Sequence, residues 1–166
     1  MQSERELKVE LEHSYSIFIR ATPAQVWQAL TDSGFTTQYY FDSAVESDWR
    51  VGSDYRMTSP DGTRVSFEGT ILALEPERRL VQSVHIKFHP AFLAHENMSI
   101  AWDIEQFGEA CRVTITHHGA PSTAELFAML TARCPDLLSG MKTLLETGRP
   151  LRIGQPETAH NAGGPA

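Results

Sequence analysis

The sequence predicts an α+β fold: a curved antiparallel β-sheet wrapped around a long C-terminal helix, with two short helices after the first strand. Three observations predict it. Apolar and polar residues alternate with period two near the N-terminus and again through residues 44–118. A capped helical stretch separates those two regions. The last patterned stretch carries a broad apolar stripe at helical spacing and stops at Gly148 and Pro150.

In the first element Leu7, Val9, Leu11, Tyr15, Ile17 and Ile19 point one way, opposite Lys8, Glu10, Glu12, Ser14 and Ser16. That is a strand with one buried face. At "ATPAQVWQAL" the period changes. Thr22 is an N-cap, Pro23 suits the first helical position and Gln25 completes a capping box, so a short helix buries Val26, Trp27 and Leu30. "TDSGF" breaks it, and "FTTQYYF" adds a further turn ending in aromatics. Tyr55 and Met57 then alternate with Asp54, Arg56 and Thr58 up to the turn sequence "SPDGT". Strands follow near 64–74 and from Leu80 to Phe88, the second with Leu80, Gln82, Val84, Ile86 and Phe88 on one face. After the irregular "HPAFLAHEN", Met98, Ile100, Trp102 and Ile104 alternate with polar or small residues. "FGEA" turns the chain, and Val113, Ile115 and His117 share a face. Consecutive strands joined by short turns make an antiparallel meander.

The final element opens with a second capping box, Ser122 and Glu125. At about 100° per residue, Leu126, Leu130, Leu137, Met141 and Leu144 fall within about 60° of one another. Phe127, Leu138 and Leu145 widen the stripe to roughly 120°, the breadth of a helix packed on a core. Pro135 falls on the solvent side and would bend the helix around the sheet, two separate helices being the alternative. A curved sheet and a bent helix do not meet flush everywhere. The space between them is either filled by side chains or left as a pocket.

The 166 residues fit one domain over 14–151, with 1–13 extending the first strand and 152–166 a small, polar, disordered tail. Hydrophobic residues make up 41% and charged ones 21%, as in a globular protein. A formal charge of -7 without a dense basic stripe argues against nucleic acid as a partner. No run of about 18 apolar residues exists, so no membrane span is expected. The charged N-terminus lacks an apolar signal core, which points to the cytoplasm. In that reducing compartment Cys111 and Cys134 are expected as buried thiols rather than a disulfide.

The chemical candidates are sparse. Seven histidines show no HExxH and no paired carboxylate–histidine spacing, so neither a metal site nor a cofactor is expected. His13 and His160 read as solvated near the termini, and His89 and His95 flank a loop. His117 reads either as a sheet-edge histidine bonded to backbone or water, or as a polar anchor at a pocket mouth. Tyr39 and Tyr55 are candidates for a partly wet cavity, because a buried hydroxyl needs a partner. Gln82 on an apolar face follows the same logic. No nucleophile–base arrangement stands out along the chain, so no catalytic residue is assigned. Pairing of a cysteine with a histidine in space stays open.

Four phrases in order, "TPAQVWQALTD", "DWRVGSDYRM", "DGTRVSFEGTILALEPERRLV" and "LLSGMKTLLETGRPL", resemble the bacterial activator-of-heat-shock-ATPase-like proteins. These belong to the START-like (SRPBCC, Bet v-like) helix-grip superfamily, and the resemblance spans about residues 14–151. It implies a helix-grip fold with a cavity under the C-terminal helix. It implies less about activity, because one fold hosts many functions. Two departures stand out. Relatives often carry Gly-Gly where this chain has Gly52-Ser53, and many carry Trp-Pro where it has Cys134-Pro135. Exchanging an indole for a thiol would remove roughly 100 Å³ or more, to be refilled by neighbours or kept as cavity.

The expected function is therefore binding of a small hydrophobic or amphipathic ligand. The expected wall comprises Trp27, Tyr39, Tyr55, Met57, Phe67 and Gln82, with Trp102, His117, Leu130, Cys134 and Met141. The alternatives are a cyclase-, dehydratase- or hydrolase-type enzyme using the same pocket, or a co-chaperone-like interaction module. A homodimer and a chaperone partner are left open.

Overall fold

The computed structural model describes residues 11–88, 90, 98–119 and 124–154, with only the backbone described for Leu11, residues 124–126 and Leu130. The elements in chain order are β1 (Leu11–Ile19), α1 (Pro23–Thr31), α2 (Ser33–Tyr39), β2 (Ala44–Ser47), β3 (Asp54–Thr58) and β4 (Val65–Glu75). There follow β5 (Arg79–Ile86), β6 (Met98–Phe107), β7 (Ala110–Gly119), α3 (Ala124–Thr131) and α4 (Cys134–Thr147). The strands form one antiparallel sheet in the order β1-β7-β6-β5-β4-β3-β2. This is the predicted helix-grip architecture. The strands from β2 to β7 run as a meander, and β1 closes against β7. Helices α1 and α2 occupy the crossover between β1 and β2.

Register puts the apolar rows on one face. Tyr15 pairs with Ile115 and Ile17 with Val113, while Trp102 faces Ile115 from β6. Ile19, Trp102, Cys111, Val113 and Ile115 are each 1% exposed or less. Burying a large apolar side chain stabilises by about 1.5–3 kcal/mol, so this face is the main source of fold energy. Two register shifts bend the sheet, between Met57 and Thr58 and between Ile71 and Ala73. At the bend, the Thr70 N–H donates to Ser83 Oγ at 2.8 Å. Gly69 lies against the Ser83 backbone there, too close for any side chain.

The capping box at α1 forms as the sequence predicts: the Gln25 N–H donates to Thr22 Oγ1, and the Thr22 N–H donates to Gln25 Oε1. Val26, Ala29 and Leu30 carry the buried face. Trp27, expected there, is only partly buried and packs against the rim of the core. Phe88 also differs: it lies beyond the end of β5 and is 62% exposed.

The C-terminal helix is in two pieces. Ala132 and Arg133 form a turn, and Pro135 stands in the first turn of α4, where its missing N–H leaves no bond unmade. The proline starts a helix here rather than bending one. Cys134, Leu137, Leu138, Met141 and Leu144 bury the stripe of α4, and Gly140 lets the helix approach Tyr39 of α2. Gly148 closes α4 with φ +75°. The Ser122–Glu125 box, residues 1–10 and the tail from 155 lie outside the described residues. Among the described residues, no helix is long and apolar enough to cross a membrane.

Candidate functional site

A cavity of about 450 Å³ lies between the sheet and α4. Phe67 of β4, Ile86 of β5, Ile100 of β6 and His117 of β7 make its floor. Cys134 and Leu137 of α4 face them. Phe41, Phe88, Met129 and Arg133, all exposed, surround the mouth. Two sequence features leave the space open: the break at residues 132–133 and the small side chain of Cys134 at the head of α4. One end is aromatic. The Phe67 ring meets Tyr40 at 5.8 Å and Phe88 at 5.4 Å, both edge to face.

Two polar groups of the cavity, from β7 and α4, meet each other. Cys134 Sγ lies 3.7 Å from His117 Nδ1. Burial pushes the Cys134 thiol up to about 11. Burial, with His13 nearby adding to it, pushes the His117 imidazole down to about 4. At neutral pH the pair is thus a thiol beside a neutral imidazole, not a thiolate–imidazolium nucleophile. Burial also raises the Tyr40 hydroxyl, and Cys134 adds to that. The open question of a cysteine–histidine pairing in space is answered by Cys134; Cys111 instead points its Sγ at the Ala21 carbonyl, 3.2 Å away. Both cysteines are free and buried.

His13 is a correction. Read as solvated near the terminus, it stands directly opposite His117 in the β1–β7 register, with ring centroids 6.3 Å apart. Its Nδ1 is buried and has no hydrogen-bond partner among the described residues. One donor atom each from His13, His117 and Cys134 lie within 4.8 Å of one another. Strand parity carried this signal, since His13 falls on the side of Tyr15 and Ile17. The pairing itself needs the β1–β7 register, which no local pattern supplies. His117 is not at a sheet edge either: β1 covers β7, and His117 is 4% exposed.

Of the eleven residues expected in the wall, Phe67, His117 and Cys134 meet at this cavity. Tyr39, Tyr55, Met57, Trp102 and Met141 sit in the packed core instead. Both tyrosine hydroxyls are satisfied by backbone: Tyr39 donates to the Ala29 carbonyl at 2.6 Å and Tyr55 to the Ser83 carbonyl at 2.7 Å. Gln82 is 7% exposed and neighbours Ile100 across β5–β6. Trp27 borders a separate open groove of about 910 Å³ whose other residues include Asp48, Asp54 and Arg56. The side chain of Leu130 lies outside those described. Sequence reasoning missed Tyr40, the residue just past α2, together with Ile86, Ile100 and Leu137 on strands and a helix it had placed.

No curated protein matches the sequence. Solved structures do resemble the fold. The Aha1 dimer of Colwellia psychrerythraea matches with TM-score 0.67 and 18% identity, over 83% of this chain and 98% of that one. The Hsp90 activator of Plasmodium falciparum gives 0.64 and 14%, over 84% and 98%. DynU16, a protein in the dynemicin biosynthetic locus, gives 0.69 and 21% over 86% of this chain. The match spans about half, 49%, of DynU16. The family model described as "Activator of Hsp90 ATPase homolog 1-like protein" matches residues 20–146, most of the folded chain, and the protein belongs to that family.

Proposed function

We propose that this protein binds a small apolar or amphipathic molecule in the cavity between the sheet and α4. The observation that carries the reading is the cavity itself. Its volume of about 450 Å³ falls in the range of ligand sites, roughly 300–1,000 Å³, and its floor is mostly apolar, with Phe67, Ile86 and Ile100 beside His117. Tyr40, His117, Cys134 and Arg133 add a few polar groups to that lining, enough to orient a ligand's polar end. The wall proposed here keeps Phe67, His117 and Cys134 from the sequence reading and adds Tyr40, Ile100 and Leu137. The enzyme reading would use the same cavity, but a neutral thiol beside a neutral imidazole gives it no activated nucleophile. A co-chaperone role rests on what two neighbours are named, a heat-shock activator and an Aha1 dimer. Its separate test is stimulation of a chaperone ATPase.

Native mass spectrometry of freshly purified protein, set against its denatured mass, tests the ligand reading. A reproducible extra mass of a small organic molecule, or an environment-sensitive apolar dye bound at one site per chain, is the expected result. A bare chain that also binds no dye would overturn it.

A further inference from the structure

We propose that His13, His117 and Cys134 form a three-donor site for a thiophilic transition-metal ion, Zn²⁺ or Cu⁺, with its remaining coordination position open to the cavity. Two independent features of the fold bring the donors together. Antiparallel register sets His13 of β1 directly opposite His117 of β7 on the concave face. The break before α4 then delivers Cys134 over that pair as the first residue of the helix.

The spacing suits an ion. Metal–nitrogen and metal–sulfur bonds of about 2.0 and 2.3 Å at a tetrahedral angle separate the two ligand atoms by about 3.5 Å. His117 Nδ1 and Cys134 Sγ are 3.7 Å apart, and the full set of three donor atoms lies within 4.8 Å. The His13 and Cys134 side chains turn about single bonds, which is the freedom an incoming ion would use to draw the donors closer. His13 Nδ1 gives the second observation: it is buried and unpartnered among the described residues, a costly state for a polar atom and the state of a ligand atom awaiting an ion.

Donor chemistry sets the class. Two imidazoles and one thiol, with no carboxylate in the set, select against Mg²⁺ and Ca²⁺ and favour zinc or copper. Binding replaces the thiol proton: the S–H bond breaks, a sulfur–metal bond forms, and one proton goes to solvent for each ion bound. Three protein donors leave an open position, the arrangement of reactive rather than purely structural zinc. His117 and Cys134 both line the cavity, so that position faces whatever the cavity admits. The site stands whether or not an organic ligand is found, because metal uptake is measured without one.

The test uses the full chain, stripped with chelator and titrated first with Zn²⁺ and then with Co²⁺ as a spectroscopic probe. One ion per chain is expected, with a thiolate-to-cobalt charge-transfer band. Cys134→Ser should abolish that band and Cys111→Ser keep it. His13→Ala, at a half-buried position, should weaken Zn²⁺ by more than the roughly 10–100-fold that loss of an outer-shell partner costs. His118→Ala is the control, since His118 lies on the opposite face near Glu12, 3.8 Å away, and should leave uptake unchanged. Wild-type protein that takes up no ion, or a cobalt complex without the thiolate band, overturns the proposal. So does uptake that survives both His13→Ala and Cys134→Ser.

Discussion

The Cys134 thiol lies 3.7 Å from the His117 imidazole, on the α4 side of the cavity. An indole there would project into the cavity. Cys134→Trp is therefore expected to fill much of the space of about 450 Å³ and to weaken binding of an apolar dye. The expected loss is tenfold or more, about 1.4 kcal/mol. Melting temperature should stay within a few degrees of wild type, since the added ring enters open space rather than a packed core. Fluorescence titration and thermal unfolding of the same samples decide it. Unchanged dye affinity would place the binding site elsewhere.

A second pair of substitutions separates wall from core. Phe88 is 62% exposed and packs its ring on Phe67 at the cavity mouth. Phe88→Ala should leave stability within about 0.5 kcal/mol, as for most surface changes. It should also cut dye affinity several-fold by removing apolar contact. Tyr55→Phe should do the reverse. Its hydroxyl bonds the Ser83 carbonyl at 2.7 Å inside the sheet, so its loss costs about 1–2 kcal/mol and spares the dye. If Tyr55→Phe weakens dye binding more than Phe88→Ala, the sequence-based wall is the better description.

That contrast shows what the sequence could carry. Period-two alternation, the capping box of α1 and the helical spacing of the last stripe are local, and they sufficed for the described strands, α1, the apolar stripe of α4 and the Gly148 stop. Partners of buried polar groups are not local. The need of the Tyr39 and Tyr55 hydroxyls for acceptors points to a wet cavity by sequence, yet the acceptors are the Ala29 and Ser83 carbonyls, 10 and 28 residues away along the chain. The cavity depends on where α4 starts, and Pro135 fits both a bend and a helix start by pattern alone. For His13 two local signals conflict: nearness to the N-terminus points to solvent and strand parity points inward, and the β1–β7 pairing follows parity.

Gly69 gives a prediction that no periodicity offers. A Cβ at this position would collide with the Ser83 backbone carbonyl, and main chain cannot swing aside as a flexible side chain can. The contact lies beside the register shift that bends β4, so an added methyl would force apart the strands that curve the sheet. Gly69→Ala is expected to destabilise by about 3 kcal/mol, the upper end for overpacking. Urea unfolding should show a lowered midpoint with an unchanged slope. A midpoint within error of wild type would mean that β4 and β5 separate at little cost.

The attachment of α4 to β1 should be legible in the pH dependence of stability. Glu146 Oε1 accepts the Arg20 backbone N–H at 2.8 Å and the Lys142 ammonium at 2.9 Å, while Lys142 also donates to the Phe18 carbonyl at 2.6 Å. The Arg20 hydrogen bond first, and Lys142 second, hold the Glu146 carboxyl below its ordinary value. A carboxylate with a lowered folded pKa contributes stability that is fully present above the unfolded value, about 4.3. That contribution is lost as pH falls through the folded value, when the folded protein also takes up the proton. The pair is largely solvent-screened, so about 0.5–1 kcal/mol is expected at neutral pH. Glu146→Gln should therefore be less stable than wild type by that amount at pH 7, and the gap should close as the pH is lowered through the carboxylate range. A gap that persists undiminished in acid would assign the effect to helix packing rather than to charge.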